Sequence, residues 1–139
     1  MDIENQPIDV QVSLQLLHAW KTVKHAMEEF AAEHDLTLQQ LAVLYQLTAE
    51  DHVLMGTLAK QMHCDASNIT GMADRLQSLG LLTRRELPED RRAKQLSITS
   101  HGRKLIENLL PRLPSGLSLD KLTSTELQAL HGLLAKACY

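Results

Sequence analysis

The sequence has few aromatic residues, few cysteines and no long apolar run. Phe, Trp and Tyr make up 3% of its 139 residues, so aliphatic side chains must build the core, which suits packed helices better than a β-sandwich. No apolar run reaches the roughly 18 residues that can cross a bilayer. The first residues include acids where a signal peptide carries lysine or arginine. Cys64 and Cys138 show neither CxxC nor disulfide-framework spacing. We therefore expect a cytoplasmic protein with no membrane partner.

The motifs of common enzyme and metal sites are also missing from the sequence. It has no glycine-rich phosphate loop, no GxSxG nucleophile turn and no HExxH zinc motif. His18 and His25 share a helix face, but a separation of seven residues puts them roughly 10 Å apart along the axis, too far for one ion. We expect no enzyme activity, cofactor or metal ligand. A zinc site assembled from separate helices and a redox-sensing Cys64 stay open as alternatives.

The net charge of −3 is unevenly distributed along the chain. Residues 66–104 contain eight Lys and Arg and only four Asp and Glu, a net charge of +4, so the remaining residues carry −7. A basic segment within an acidic chain is typical of a surface that binds a polyanion such as nucleic acid. A solvated surface hairpin is the other interpretation, and charge alone does not decide between the two.

Amphipathic helices are predicted at both ends of the chain. Apolar residues recur at helical spacing over residues 10–34, and a capping box at Thr37 begins a second helix that runs to about Thr48. Prolines and a glycine break the chain over residues 111–116, and a second capping box at Thr123 opens a final helix.

Between these helices the pattern predicts a helix-turn-helix. A short helix over residues 56–62 is followed by a turn at 63–65 and by a second helix, which Asp65 or Ser67 caps and Gly80 ends. Four apolar residues of the second helix repeat at spacings of three and four and are predicted to be core: Ile69, Met72, Ala73 and Leu76.

A β-hairpin with a charged tip is predicted directly after the second helix. Its strands cover residues 82–87 and 95–98, and Thr99 or Ser100 caps the helix that follows. A hairpin in this place is a wing, so the predicted fold is mainly α with a small β-hairpin wing.

Five short stretches between residues 56 and 102 stand in a distinctive order and spacing. They are LAKQM at residues 58–62, DASNITGMADRL at 65–76, LGLL at 79–82, EDRRAK at 89–94 and LSIT at 96–99, with Gly102 shortly after. This segment closely resembles the MarR family of bacterial transcription regulators, and the order of elements agrees over nearly the whole chain.

The resemblance implies one winged helix-turn-helix domain over residues 1–139. Residues 36–99 would form the DNA-binding region, and residues 9–35 and 100–139 would form N- and C-terminal dimerisation helices. It implies a homodimer on a pseudo-palindromic operator in duplex DNA. It also implies loss of DNA affinity when a small aromatic effector binds between the dimer and DNA-binding regions. The expected function is therefore a sequence-specific transcription regulator, a repressor.

Candidate DNA contacts stand at the start of the second helix, whose first turns enter the major groove in proteins of this fold. Asn68 can pair with adenine, and the hydroxyls of Ser67 and Thr70 can donate to phosphates or base edges. Gly71 permits close approach of the backbone, and Arg75 either reaches phosphate or braces the wing. If this interpretation is wrong, Ser67 and Asn68 are only helix caps.

In the wing, Arg91 or Arg92 is predicted to enter the minor groove, because a guanidinium suits that narrow, electronegative slot. The resemblance favours Arg92, held by Asp90 through a charge-assisted bond. Basic residues that flank the tip are predicted to meet phosphate: Arg84, Arg85 and Lys94.

The chain departs from the family pattern in two places. Many members carry a basic residue where this chain has Gly71, which we expect to alter base preference. Residues 111–116 shorten a helix that is usually longer, which affects the dimer region. A winged-helix module that binds protein is the remaining alternative, disfavoured because such a surface would expose apolar side chains.

Overall fold

The computed structural model describes residues 3–50, 52–90 and 92–138. Its helices and strands, in chain order, are α1 (Ile8–Ala32), α2 (Leu38–Ala49), β1 (Val53–Leu54), α3 (Met55–Gln61), α4 (Ala66–Ser78), β2 (Leu82–Glu86), β3 (Lys94–Ile98), α5 (Ser100–Leu109) and α6 (Ser124–Cys138). Each predicted helix is present within about two residues of its expected bounds, the usual uncertainty of helix ends. The prediction of a mainly helical fold with a β-hairpin wing is confirmed.

The helix caps explain where several of these elements begin and end. The Thr37 hydroxyl accepts from Gln40 N–H at 3.1 Å while the Gln40 side chain accepts from Thr37 N–H at 3.0 Å, which confirms the first capping box. At the end of α4, Gly80 has φ +67° and donates its N–H to the Gln77 carbonyl at 2.9 Å. Leu81 N–H reaches the Leu76 carbonyl at 3.0 Å, so this end is a Schellman motif that requires a left-handed residue.

The second capping box, at the start of α6, is confirmed as well. Thr123 donates its backbone N–H to Glu126 Oε2 at 2.8 Å, and its hydroxyl accepts from Glu126 N–H at 3.3 Å. The bond from the Thr123 backbone, and after it the bond from the Thr123 hydroxyl, lower the pKa of the Glu126 carboxyl below its ordinary value. The ionised carboxylate therefore helps to hold the first turn of α6.

The wing strands belong to a three-stranded antiparallel sheet with the order β1-β3-β2. Leu82 pairs with Ile98 and Glu86 with Lys94 at the two ends of the hairpin. β1 adds Val53 opposite Leu96. The short strand before α3 thus ties the helix-turn-helix to the base of the wing.

The chain divides into two compact units by its internal contacts. One unit spans Phe30–Leu113 and contains the helix-turn-helix, the wing and α5; the other combines the chain up to Glu29 with the chain from Pro114 onward. The first unit has an aliphatic core, in which the largest fully buried side chains are Leu44, Leu47, Leu58, Ile69, Leu76, Leu82, Leu96, Ile106 and Leu109. This core fixes the helices and strands that carry the predicted contacts.

The dimerisation boundary predicted at residue 100 stays a prediction, although α5 lies in the unit of the helix-turn-helix and contacts α2 there. No helix among the described residues is both long and apolar enough to span a lipid bilayer.

Candidate nucleic-acid interface

The turn between α3 and α4 is built by local hydrogen bonds. His63 has φ +50° and donates its N–H to the Lys60 carbonyl at 3.2 Å, and Cys64 N–H reaches the Ala59 carbonyl at 3.0 Å. Asp65 then takes the N-cap position of α4 with extended backbone, but its side chain makes no capping hydrogen bond. Asp65 is therefore the N-cap residue of α4 as predicted, although its side chain makes no capping bond, and the Ser67 alternative is wrong because Ser67 lies inside the helix.

The two faces of α4 separate core from surface as the sequence predicts. Ile69, Ala73 and Leu76 are at most 1% exposed, and Met72 is half-buried against them. The predicted contact residues of this helix are all exposed: Ser67, Asn68, Thr70, Gly71 and Arg75. The face turned away from the core is thus polar over the first three turns, with Arg75 as its basic residue.

Thr70 and Gly71 differ in what they offer to a ligand. The Thr70 hydroxyl donates to the Ala66 carbonyl at 2.9 Å, so in this rotamer its oxygen remains as an acceptor. A Cβ added at Gly71 would meet no atom within 4 Å. Gly71 is therefore not required by packing, and space beside it is open to an incoming surface.

The wing tip is a tight loop closed by hydrogen bonds around Asp90. Leu87 N–H reaches the Ala93 carbonyl at 3.2 Å, and Ala93 N–H reaches the Asp90 carbonyl at 3.0 Å. The Asp90 carboxylate accepts from the backbone N–H of Arg92 at 2.9 Å. Asp90 therefore holds the backbone of Arg92 and not its guanidinium, which corrects the predicted bond between the two charged groups. Arg91 lies outside the described residues.

Of the flanking basic residues, Arg84 is engaged within the protein. Its Nη2 donates to Asp74 Oδ1, and its side chain is 16% exposed. Arg85 is exposed and Lys94 is half-buried. Asp74 and Arg84 thus make the contact between α4 and the wing, for which Arg75 is a candidate in the sequence. No local signal in the sequence indicates this pairing.

A cavity of about 610 Å³ lies between the wing, the start of α3 and the first turns of α4. Four basic side chains line it together with Asp90: Lys60, Arg84, Arg92 and Lys94. Lys60 was missed in the sequence because it stands outside the basic segment 66–104. Its place in the last turn of the helix before α4 is the sequence signal that could have identified it, and the structure leaves it exposed.

The metal and redox alternatives gain no support from the described part of the chain. No group of three or more His, Cys, Asp or Glu side chains that could hold a metal ion occurs there. Cys64 is half-buried and packs against the core. Cys138 is exposed.

Comparisons with known proteins place this geometry among regulators of transcription. A family model described as "MarR family" matches residues 36–94. The HTH-type transcriptional repressor YetL of Bacillus subtilis (strain 168) is 33% identical over 104 residues, which cover 73% of this chain and 62% of that protein. The repressor MdtR of the same organism is 33% identical over 126 residues, which cover 88% of this chain and 80% of MdtR.

Solved structures with the same fold include two that bear on function. BpsR of Bordetella bronchiseptica, whose DNA binding is regulated by 6-hydroxynicotinic acid, matches with a TM-score of 0.77 and 25% identity over 93% of this chain and 99% of BpsR. A mutant MarR from Escherichia coli complexed with operator DNA matches with a TM-score of 0.70 and 26% identity, over 88% of this chain and 91% of that one.

Proposed function

The chain belongs to the MarR family, and from this premise we propose that it is a sequence-specific DNA-binding transcription regulator, a repressor that a small molecule releases from its operator. The proposed activity is binding and not catalysis. A protein that acts on operator DNA works where the DNA is, so we assign it to the cytoplasm.

The observation that carries the proposal is the exposed polar start of α4 beside a basic wing. Asn68 and its neighbours in α4 present side chains that can read the major groove. Lys94 stands at the start of β3, and the exposed Arg92 at the wing tip is suited to the adjacent minor groove. An α-helix and a hairpin tip that presents Arg92, both carried by one compact unit, can provide base contacts and phosphate contacts together.

Within this interface we assign three kinds of contact. Asn68 reads a base edge, and Gly71 admits the DNA backbone or a base close to the helix. Side chains that reach phosphate, directly or as acceptors through water, are Ser67, Thr70, Arg75, Arg85, Lys94 and, outside the described residues, Arg91. Arg92 enters the minor groove, and Asp90 fixes the backbone that presents it.

We further propose that two copies of the chain form a homodimer through their terminal helices. In α6, Leu127, Leu130 and Leu134 lie on one helix face and are 37–38% exposed, and Leu133 is 66% exposed. In α1, large apolar side chains are also exposed, among them Trp20 at 55%. Apolar surface of this extent is typical of a protein interface, and a two-fold dimer matches a pseudo-palindromic operator.

The proposed effector is a small aromatic molecule that lowers DNA affinity. The support is the relationship to BpsR, since regulation by 6-hydroxynicotinic acid is a property of that protein. The ligand of this chain is to be sought among small aromatic acids and phenols.

The protein-binding alternative has no comparable support. None of the large apolar side chains that are exposed lies in α4, so the start of this helix offers polar groups and not a hydrophobic docking surface.

Fluorescence anisotropy with labelled duplexes tests the proposal. DNA from upstream of the protein's own gene is compared with a random duplex over a range of salt concentrations. If two subunits neutralise about 6–10 phosphates, log affinity falls by several units per unit of log salt. Tighter binding to the upstream duplex is expected at every salt concentration. A slope near zero, or equal affinity for both duplexes, contradicts the proposal.

A further inference from the structure

An ion pair joins the recognition helix α4 to the first strand of the wing. Asp74 lies in the third turn of α4 and Arg84 is the third residue of β2, and Arg84 Nη2 donates to Asp74 Oδ1. The Arg84 side chain is 16% exposed and the Asp74 side chain is 61% exposed. The pair therefore lies at the edge of the core, with the arginine on the inner side.

The position of Arg84 follows from the alternation of side chains in a strand. Leu82, two residues before Arg84, is 1% exposed, and Leu96, the cross-strand partner of Arg84, is 0% exposed. Arg84 thus shares the core-facing side of the sheet, where its aliphatic stem is covered and its guanidinium reaches α4. The next residue, Arg85, lies on the opposite side and is exposed.

The charge of Arg84 depends on Asp74 for compensation. Within residues 3–50, 52–90 and 92–138, Asp74 is the carboxylate that pairs with it, and the buried Nε has no hydrogen-bond partner. The positive charge of a guanidinium this covered is balanced by a carboxylate within the protein. The charge of Arg85, in contrast, faces solvent.

We propose that Asp74 and Arg84 are a positioning pair, which holds the wing at one orientation to α4 while Arg84 itself contacts no phosphate. The start of α4 and the wing tip must enter neighbouring grooves of the DNA at the same time. If the angle between α4 and the wing changes, the wing tip is displaced from its groove when α4 is bound in the major groove. The pair would thereby act on discrimination between operator and random DNA. This inference rests on the proposed function.

Arg84→Gln and Arg85→Gln form a matched comparison, because the residues are adjacent but face opposite sides of the hairpin. Arg84→Gln should lower the operator-to-random affinity ratio by about tenfold, the order of one disturbed base contact, and leave the salt slope unchanged. Arg85→Gln should weaken binding to both duplexes alike and reduce the salt slope by about one per subunit.

Asp74→Asn supplies a second approach through a more exposed residue, which keeps the test available if Arg84→Gln does not fold. It should lower the affinity ratio as Arg84→Gln does. The double variant should lose no more than either single variant, because both remove the same contact. Arg84→Lys, which keeps a cation able to reach Asp74, should recover part of the ratio.

The outcomes separate the positioning role from two simpler ones. A reduced salt slope with an unchanged ratio for Arg84→Gln means that Arg84 contacts phosphate, and overturns the proposal. A lower melting temperature with an unchanged ratio and slope means a purely structural role, and also overturns it. Additive losses in the double variant show that the residues act independently. If the wild-type protein does not prefer operator DNA at all, the proposed function fails instead.

Discussion

Replacing Gly102 by alanine tests how the wing is joined to the helix that follows it. Gly102 is buried in the first turn of α5, and an added Cβ would lie 2.9 Å from Ile98 Cγ1 and 3.1 Å from the Leu81 carbonyl carbon, with the Leu81 carbonyl oxygen closer still. This oxygen belongs to the backbone and accepts the Thr99 N–H at 3.0 Å, so it cannot turn away as a side chain would. The start of α5 must therefore move.

The expected cost follows from these contacts. Overpacking of a core site costs about 1–3 kcal/mol, and loss of the bond between Thr99 and Leu81 costs about 1 kcal/mol more. The free energy of unfolding should fall by roughly 2–4 kcal/mol, which lowers the melting temperature by roughly 8–16 °C at about 4 °C per kcal/mol for a chain of this size.

Thermal unfolding followed by circular dichroism measures this effect, at one fixed protein concentration because a dimer melts in a concentration-dependent way. Gly56→Ala in α3 is the matched control, since an added Cβ there meets no atom within 4 Å. It should leave stability unchanged or raise it by up to about 1 kcal/mol through helix propensity. A Gly102→Ala protein that melts within about 2 °C of wild type would refute the reasoning.

Three further predictions concern DNA, the dimer and pH. Asn68→Ala should cost about 1–3 kcal/mol on operator DNA and much less on random DNA. Arg92→Ala should weaken binding to operator and random DNA more evenly and reduce the salt slope by about one per subunit. If anisotropy gives the two variants the same loss of operator preference and the same salt slope, the assigned roles are contradicted. Leu134→Lys should cause the dimer to dissociate or aggregate, as measured by sedimentation velocity, whereas the control Gln128→Lys on the same helix should not. A Leu134→Lys dimer with the wild-type dimer affinity would argue against the proposed interface. Because the pKa of Glu126 is lowered in the folded state, its stabilisation is present at neutral pH and is lost as pH falls through that pKa. The melting temperature of Glu126→Gln should therefore lie below wild type near neutral pH and converge with it in acid, and a constant difference would count against this role.

Local sequence signals predicted the elements of this fold well because the interactions behind them are short in sequence. The capping boxes at Thr37 and Thr123 span three residues, and Gly80 ends α4 through bonds to the preceding turn. The same periodicity that placed Ile69 and Leu76 in the core left Asn68 on the surface. Exposure of the predicted contact residues in α4 could therefore be predicted without the tertiary structure.

Predictions about side-chain partners were less successful. The sequence places Asp90 and Arg92 two residues apart with opposite charges, yet the carboxylate takes the backbone N–H of Arg92, because the tight loop brings that donor within 2.9 Å. Asp65 stands where an N-cap is expected, but its side chain makes no bond to α4. Residue type indicates which partners a side chain can have, and the backbone decides which of them is in reach.

By itself the sequence determined the helices, the wing and the family to which the chain belongs, since periodicity, caps and motif spacing are local properties. The tertiary structure decided the contacts between elements. Asp74 and Arg84, ten residues apart, meet because α4 packs against β2. Arg103 Nη1 donates to the carbonyl of Thr48, 55 residues away, and so satisfies one of the free carbonyls at the end of α2. Such contacts depend on the relative orientation of packed elements, which no short stretch of sequence encodes.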